Sequence, residues 1–341
     1  MRLFKDRFLL AKFVIVFALL AIAGSSFAIS LPNNEIGQTV SISVRPEYPG
    51  PFEDVLFALS SPSFDVNTAE ISWVTNGVLS AKGIGSKNFS IQMGPVGSRS
   101  RIDIVIKPLG RDSFSKSFDL YPTSIDLLWQ ANTYTPPFFE GKAKHTTEGA
   151  VTVVAIPSFA INGKMIPKEE LVYQWTNNGH PMSNSSGYGK YSVTIRNNFI
   201  KTKEEVSVGV STPDKTIFST KKTMIPVEKP EIVFYEDHSL YGTLFNSGIV
   251  RETTLLGKEM SFAVAPYFFA VDDPTNPRLV YTWLVNGASG QVGDSREKLT
   301  FRNESEDSGQ TRVGLKIIDG ARVISFAEND FLIDFGNSTN Q

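Results

Sequence analysis

Ile71-Ser72-Trp73-Val74-Thr75-Asn76-Gly77 decides the fold, because the pattern comes back twice. It returns as Tyr173-Gln174-Trp175-Thr176-Asn177-Asn178-Gly179 and as Tyr281-Thr282-Trp283-Leu284-Val285-Asn286-Gly287. The tryptophans stand 102 and 108 residues apart. One unit of about a hundred residues is therefore used three times, and a repeat of that period sets the domain count before any propensity is consulted. In each copy Ile71, Tyr173 or Tyr281 lies two residues before the indole and so shares its face of a strand. A single Trp73, Trp175 or Trp283 per unit reads as the filling of a β-sandwich core.

Aligning the units on these tryptophans places the other strands. Upstream stand Val55–Phe64, Val151–Phe159 and Ser261–Phe268, each a β-prone run stopped by a proline with a phenylalanine close behind. Proline has no N–H to give a ladder, so it is expected to end each strand, and the phenylalanine to fold over the sandwich end. After the tryptophan a loop is expected, then the short alternations Phe89-Ser90-Ile91, Tyr191-Ser192-Val193 and Leu299-Thr300-Phe301. Ile102–Ile106, Val206–Val210 and Val313–Ile317 follow with the cleanest period-2 signal in the chain, that of a strand with one buried face. Final hairpins turn at Pro108-Leu109-Gly110, Thr212-Pro213-Asp214 and Asp319-Gly320. No helical stretch of useful length is visible; Lys168-Glu169-Glu170-Leu171 is long enough for one turn. The expected architecture is all-β: three tandem Greek-key sandwiches, 29–123, 124–229 and 230–341, behind an N-terminal signal helix. The linkers Tyr121-Pro122-Thr123 and Val227-Glu228-Lys229-Pro230 are short and stiffened by proline, which predicts a semi-rigid row.

Residues 1–28 read as a signal peptide. Arg2, Lys5, Arg7 and Lys12 precede the apolar run Phe13–Ala23, and Ser26-Phe27-Ala28 puts small residues where a signal peptidase cuts. The run is short for a membrane span, which takes about 20 residues. An uncleaved N-terminal anchor is the competing reading, and the only route to a membrane. The chain has no cysteine, so disulfides, thiolate zinc sites and thiol nucleophiles are excluded. Each unit has to stand on its apolar core, for which its size suffices.

Charge is unevenly shared. Residues 124–229 hold 12 Lys+Arg against 9 Asp+Glu, and residues 230–341 hold 9 against 16. No strongly basic face points to nucleic acid. The asymmetry could steer head-to-tail contact, although drift between repeats accounts for it as well.

The Tyr-x-Trp…Asn-Gly strand, the proline-stopped strand before it and the alternating strand after it resemble the PKD and bacterial Ig-like superfamily of extracellular sandwiches. Asn-Gly stands alone here, without the Asp-rich Gly-Asp-Gly turn of strict PKD domains, and the two cysteines of antibody-type domains are missing. Ile125–Trp129 with Tyr134–Ala143 is similar to a stretch in uncharacterised exported proteins of candidate-phyla bacteria, a likeness that covers units one and two best. Such sandwiches host many functions, so the resemblance carries architecture more than activity.

His145, His180 and His238 fall in separate turn-like stretches without ligand spacing, and no Gly-x-Ser-x-Gly elbow occurs. Gly83-Ile84-Gly85 and Gly287-Ala288-Ser289-Gly290 are incomplete as phosphate loops. Glu169/Glu170 and Glu204/Glu205 are adjacent pairs, read as solvated, whereas glycosidase carboxyls face one another. Asp272–Asn276 and Glu304–Asp307 offer oxygen ligands for calcium, but without an Asp-x-Asp-x-Asp-Gly loop they read as acidic turns. No catalytic residue, cofactor or metal is assigned.

Loop aromatics are the remaining signal. Tyr134, Phe138 and Phe139 (in Tyr134-Thr135-Pro136-Pro137-Phe138-Phe139), Tyr188 and Tyr267 are candidate partner-binding rings. Packing of Pro136–Phe139 into the seam between units one and two competes with that role, and the short linkers favour it. The expectation is a non-enzymatic, exported cell-surface or envelope protein: a spacer and protein-interaction or adhesion module, in a pilus-like assembly. Its partners would be other envelope proteins or itself. The alternative is a carbohydrate-binding array using the loop aromatics.

Overall fold

The Asn-Gly pairs of the repeated signature make hairpins. Asn76, Asn178 and Asn286 have φ of 51°, 50° and 50°, and Gly77, Gly179 and Gly287 have φ of 82°, 77° and 81°. Positive φ at both central residues is the type I′ turn, whose twist matches that of paired strands. Asparagine adds a second function in the later copies. The Asn178 N–H donates to the Glu205 carbonyl (2.7 Å) and its side-chain oxygen accepts from the Glu205 N–H (3.1 Å). Asn286 does the same with Arg312, at 2.9 and 3.0 Å. In these two copies the signature thus also fixes the register of a neighbouring strand.

In the computed structural model, residues 39–196, 201–289, 296–304 and 307–336 are described. The 1–28 segment lies outside them. The first seven strands are β1 (Ser41–Arg45), β2 (Asp54–Ser60), β3 (Glu70–Thr75), β4 (Val78–Ile84), β5 (Asn88–Gln92), β6 (Ser100–Lys107) and β7 (Phe114–Leu120). They form sheets in the orders β1-β2-β5 and β4-β3-β6-β7. Phe57 on one sheet meets Trp73 and Phe118 on the other, with ring centroids 5.8 and 5.7 Å apart.

The next group is β8 (Ser124–Ala131), β9 (Ala150–Ser158), β10 (Ala160–Ile161), β11 (Lys164–Met165), β12 (Val172–Asn177), β13 (His180–Pro181), β14 (Gly187–Tyr188), β15 (Ser192–Arg196), β16 (Lys203–Ser211) and β17 (Phe218–Pro226). Its sheets run β15-β9-β8 and β13-β12-β16-β17, with β14 also on β12 and a small β10-β11 hairpin. Val151, Val153, Trp175, Val206 and Val208 share their core. The predicted helical turn is a single 3-10 turn, Lys168–Glu170.

The last group is β18 (Glu231–His238), β19 (Gly242–Ile249), β20 (Glu252–Thr254), β21 (Glu259–Tyr267), β22 (Leu279–Val285), β23 (Ala288–Ser289), β24 (Lys298–Arg302), β25 (Gly309–Asp319) and β26 (Phe326–Phe335). It stacks β19-β18-β21-β24 on β20-β26-β25-β22-β23 around Phe234, Phe262, Trp283 and Phe331. Three sandwiches on one plan result, and the chain is all-β.

The three indoles are fully buried, and each meets its donor requirement in the same way. Trp73 Nε1 donates to the Ser86 carbonyl at 2.7 Å, Trp175 to Lys190 at 2.8 Å, and Trp283 to Arg296 at 2.9 Å. An indole N–H buried without such a partner would carry a desolvation penalty of about 1–3 kcal/mol. The repeated tryptophan therefore pins the connection that leads into the next strand.

Several expectations need correcting. The loop expected after each tryptophan is instead a hairpin strand, β4, β13 or β23. Prolines do not stop β9 and β21 outright: Pro157 pairs opposite Ile125 and Pro266 opposite Ile232, and each strand runs one residue further. The third group carries a hairpin, β18–β19, that the other two lack.

By compactness the described chain falls into two units. One holds residues up to 47, 54–91 and 102–118; the other holds 48–53, 92–101 and everything from 119 onward. The second and third sandwiches thus belong to one unit.

Candidate binding surfaces

The segment Tyr134–Phe139 lies in the β8–β9 connection of the second sandwich but packs on the third. The Tyr134 N–H donates to the Phe269 carbonyl and the Tyr134 carbonyl accepts from the Phe268 N–H, both at 2.8 Å. Its ring lies against the third core, where burial raises its phenol pKa. Phe139 sets its ring edge-on to Tyr267 (5.6 Å) and Phe268 (5.8 Å). The Tyr267 hydroxyl in turn lies 2.6 Å from that of Tyr235. Three of the five candidate rings, Tyr134, Phe139 and Tyr267, therefore meet in one cluster. Their seam joins the second and third sandwiches, which corrects the expected seam between the first and second.

More contacts close this seam. Thr146 Oγ1 donates to the Phe268 carbonyl at 3.0 Å, and the Glu228 N–H to the His145 carbonyl at 2.8 Å. The Glu148 carboxylate accepts from the Val323 and Ile324 N–H groups at 3.2 and 2.9 Å. Lys144 reaches Glu228 at 2.9 Å and Glu231 at 2.8 Å, contacts that raise its pKa. These carboxylates are exposed, and such pairs are worth about 0–1 kcal/mol. The buried backbone bonds hold the seam.

The other two rings stand apart. Tyr188 lies on β14 and is 60 % exposed. Phe138 is 89 % exposed, and its φ of 64° is a left-handed backbone that bulky residues rarely adopt. Its turn is closed by the Phe139 N–H on the Pro136 carbonyl. Phe52 repeats the geometry in Gly50-Pro51-Phe52-Glu53, with φ 60° and 64 % exposure. Proline followed by a positive φ is the type II pattern. Phe52 was missed in the sequence; the shared Pro-Phe pair was the available signal.

Among the histidines, His145 is the informative one. It is fully buried, and neither ring nitrogen has a hydrogen-bond partner. Burial lowers its pKa, and the Glu204 carboxylate only partly opposes that shift. A folded pKa below the ordinary ~6.5 means that the unfolded chain binds the proton first. His145 therefore contributes stability above about pH 6.5, and this is lost as pH falls toward the folded value. In His145→Gln, the drop in melting temperature between pH 7 and pH 5 should shrink; an unchanged slope would remove His145 as the cause.

The Asp273 carboxylate accepts from the Thr275 N–H at 2.6 Å, and its hydrogen bonds with Thr275, the side chain's first and then the backbone's, lower its pKa. Glu204, read as solvated, is in fact buried; it accepts from Asn178 Nδ2 and lies 4.0 Å from Lys201. Ser305 and Glu306 of the second calcium candidate lie outside the described residues. Among the described residues no group of three or more metal-ligating side chains gathers, and no helix is long and apolar enough to cross a membrane.

With that geometry in place, comparison with known proteins adds little. No family model matches the chain, and no curated protein does. Among solved structures it is similar to the three N-terminal domains of the Highly Immunogenic Outer Capsid protein (Hoc) of bacteriophage RB49. Identity there is 13 %, over 87 % of this chain and 98 % of that one, with a TM-score of 0.27. The central fibronectin-III array of RIM-binding protein aligns at 13 % identity, covering 89 % and 99 %, with a TM-score of 0.30. A Bacteroides ovatus mixed-linkage glucan utilization protein, SGBP-B, solved with a heptasaccharide, aligns at 10 % identity, covering 89 % and 72 %, with a TM-score of 0.24. At such scores the fold assignment rests on the sheets and their pairing.

Proposed function

We propose that this chain is an exported, non-enzymatic surface or envelope protein, a spacer and protein-interaction module of three Ig/PKD-like domains. The domains are 29–123, 124–229 and 230–341, and 1–28 directs export. The observation that carries this reading is the seam between the second and third sandwiches. There a loop of one sandwich gives backbone hydrogen bonds to the other, so the pair presents its outer strands as a fixed body. Rigid presentation is what a spacer needs, because ordering at an interface weakens binding. Adhesion within a pilus-like assembly is the role this body would serve.

The glycan alternative retains two rings. Tyr134 is committed to the seam, which leaves Tyr188 and Phe138 as exposed platforms. Fractionation and pull-down from envelope material, read by mass spectrometry, test the choice. Recovery of the chain with envelope proteins and no retention on polysaccharide supports the interaction module. Retention that vanishes in Tyr188→Ala supports the glycan reading. A full-length chain confined to the cytoplasm, or turnover of a polysaccharide or peptide, would overturn the proposal.

A further inference from the structure

Edge strands expose a row of unpaired N–H and carbonyl groups, and proteins usually guard them with charge, proline or short length. Most edges here are guarded. β1 has Arg45, β4 Lys82, β7 Lys116 and Asp119, β8 Asp126, β15 Arg196, β17 Lys221 and Lys222, and β24 Lys298 and Arg302. β20 is three residues long and β23 two. Of the edge strands with five or more residues among those described, only β5 and β19 have no charge. β5 is five residues long, against eight for β19, four of them paired with β18.

β19 stands at the end of its sheet, paired with β18 alone. The run Ser239-Leu240-Tyr241-Gly242-Thr243-Leu244-Phe245-Asn246-Ser247-Gly248-Ile249-Val250 has neither a charged residue nor a proline. Large apolar side chains stand exposed at both ends: Leu240 at 75 % and Tyr241 at 73 % before the strand, Val250 at 77 % after it. The only guard is a wide bulge: Leu244-Phe245-Asn246-Ser247 stand opposite Glu236 alone, between the pairs Thr243–Asp237 and Gly248–Tyr235. Asn246 and Ser247 are exposed within that bulge.

We propose that β19 is a self-association edge, at which two copies of this chain pair β19 to β19, antiparallel, about a twofold axis. The partner is a second copy because the strand is self-complementary. It brings no charge to repel its own image, whereas like charges directly opposed destabilise a sheet. An antiparallel register that sets 241–243 against 248–250 of the other copy, on either side of a twofold axis at the bulge, covers the exposed apolar groups at both ends at once. A twofold contact of this kind closes on itself and makes a dimer rather than a fibre. The two four-stranded sheets become one sheet of eight. This deepens the interaction-module reading and rests on it: one of the envelope module's partners is itself.

Sedimentation velocity on the full chain tests the pairing over a concentration series. The expected result is a monomer–dimer equilibrium that Asn246→Lys with Ser247→Lys weakens at least tenfold, with the melting temperature unchanged. Lys82→Glu on the β4 edge should leave it alone. The chain has no cysteine, so Asn246→Cys supplies a second readout. Under oxidation it should give a disulfide-linked dimer, and Lys82→Cys should not. The N-terminal segment is common to every form and cancels from the comparison. A chain that stays monomeric at about 100 μM, or a dimer indifferent to the paired lysines, overturns the edge; affinities weaker than this are those of transient contacts. Such a failure leaves export and envelope location intact, whereas a cytoplasmic location leaves the dimer intact.

Discussion

Trp175→Ala should lower the unfolding free energy of the second sandwich by about 3–5 kcal/mol, a figure typical of large-to-small changes at fully buried aromatics. The indole lies in the core with Tyr173, Val153 and Val208, and alanine leaves a void that close-packed neighbours only partly fill. The change also strips the Lys190 carbonyl of its donor. Trp175→Phe separates the two effects, because it keeps most of the volume and loses the hydrogen bond. Urea unfolding followed by circular dichroism measures the difference. A domain is stable by about 5–15 kcal/mol in total, so the alanine variant stands near the limit of folding. A loss below about 1 kcal/mol would mean that the indole does not carry the core.

Asp319→Ala should cost about 3 kcal/mol in the third sandwich. Asp319 is fully buried and holds two arginines. Arg278 donates from Nε to Oδ1 at 3.1 Å and from Nη2 to Oδ2 at 2.5 Å. Arg322 Nε lies 3.0 Å from Oδ2, as an ion pair rather than an aligned hydrogen bond. The Ala321 N–H also donates to Oδ1 at 3.1 Å. Arg278 is about a third exposed and regains water when the carboxylate goes, which holds the cost toward the lower end of the range for broken buried pairs. Arg322 is mostly buried and does not. Asp319→Asn keeps an acceptor for Ala321 and should lose less. Calorimetry on both variants decides: equal losses would mean that the charge is irrelevant and the turn alone matters.

What the sequence made legible was local chemistry. The Trp…Asn-Gly signature, the period-2 run Val206–Val210 and the final turn at Asp319-Gly320 each depend on near neighbours, and each has a counterpart in all three units. β4 escaped notice because Val78-Leu79-Ser80-Ala81-Lys82 has no clean alternation, and its exposed face gives no burial signal. β13 and β14, of two residues each, are too short to have a period. The β18–β19 hairpin was hidden by its bulge, which shifts the register that a periodicity search assumes. The uncharged run 239–250 was readable all the same, as an absence of charge. The partner of Tyr134–Phe139 was not readable, since nothing local records that Phe268 and Phe269 accept and return its backbone bonds. His145 likewise becomes informative only once its orphaned ring is seen.

The Tyr134 clasp bears on how such an array can grow. Had the third sandwich hung from residues 227–230 alone, gene duplication could insert another copy there with little consequence. Instead, any newcomer between the second and third modules would part Tyr134 from Phe268 and strip Glu148 from its turn. Lengthening by duplication is therefore barred at that joint, and the pair is inherited as one indivisible piece.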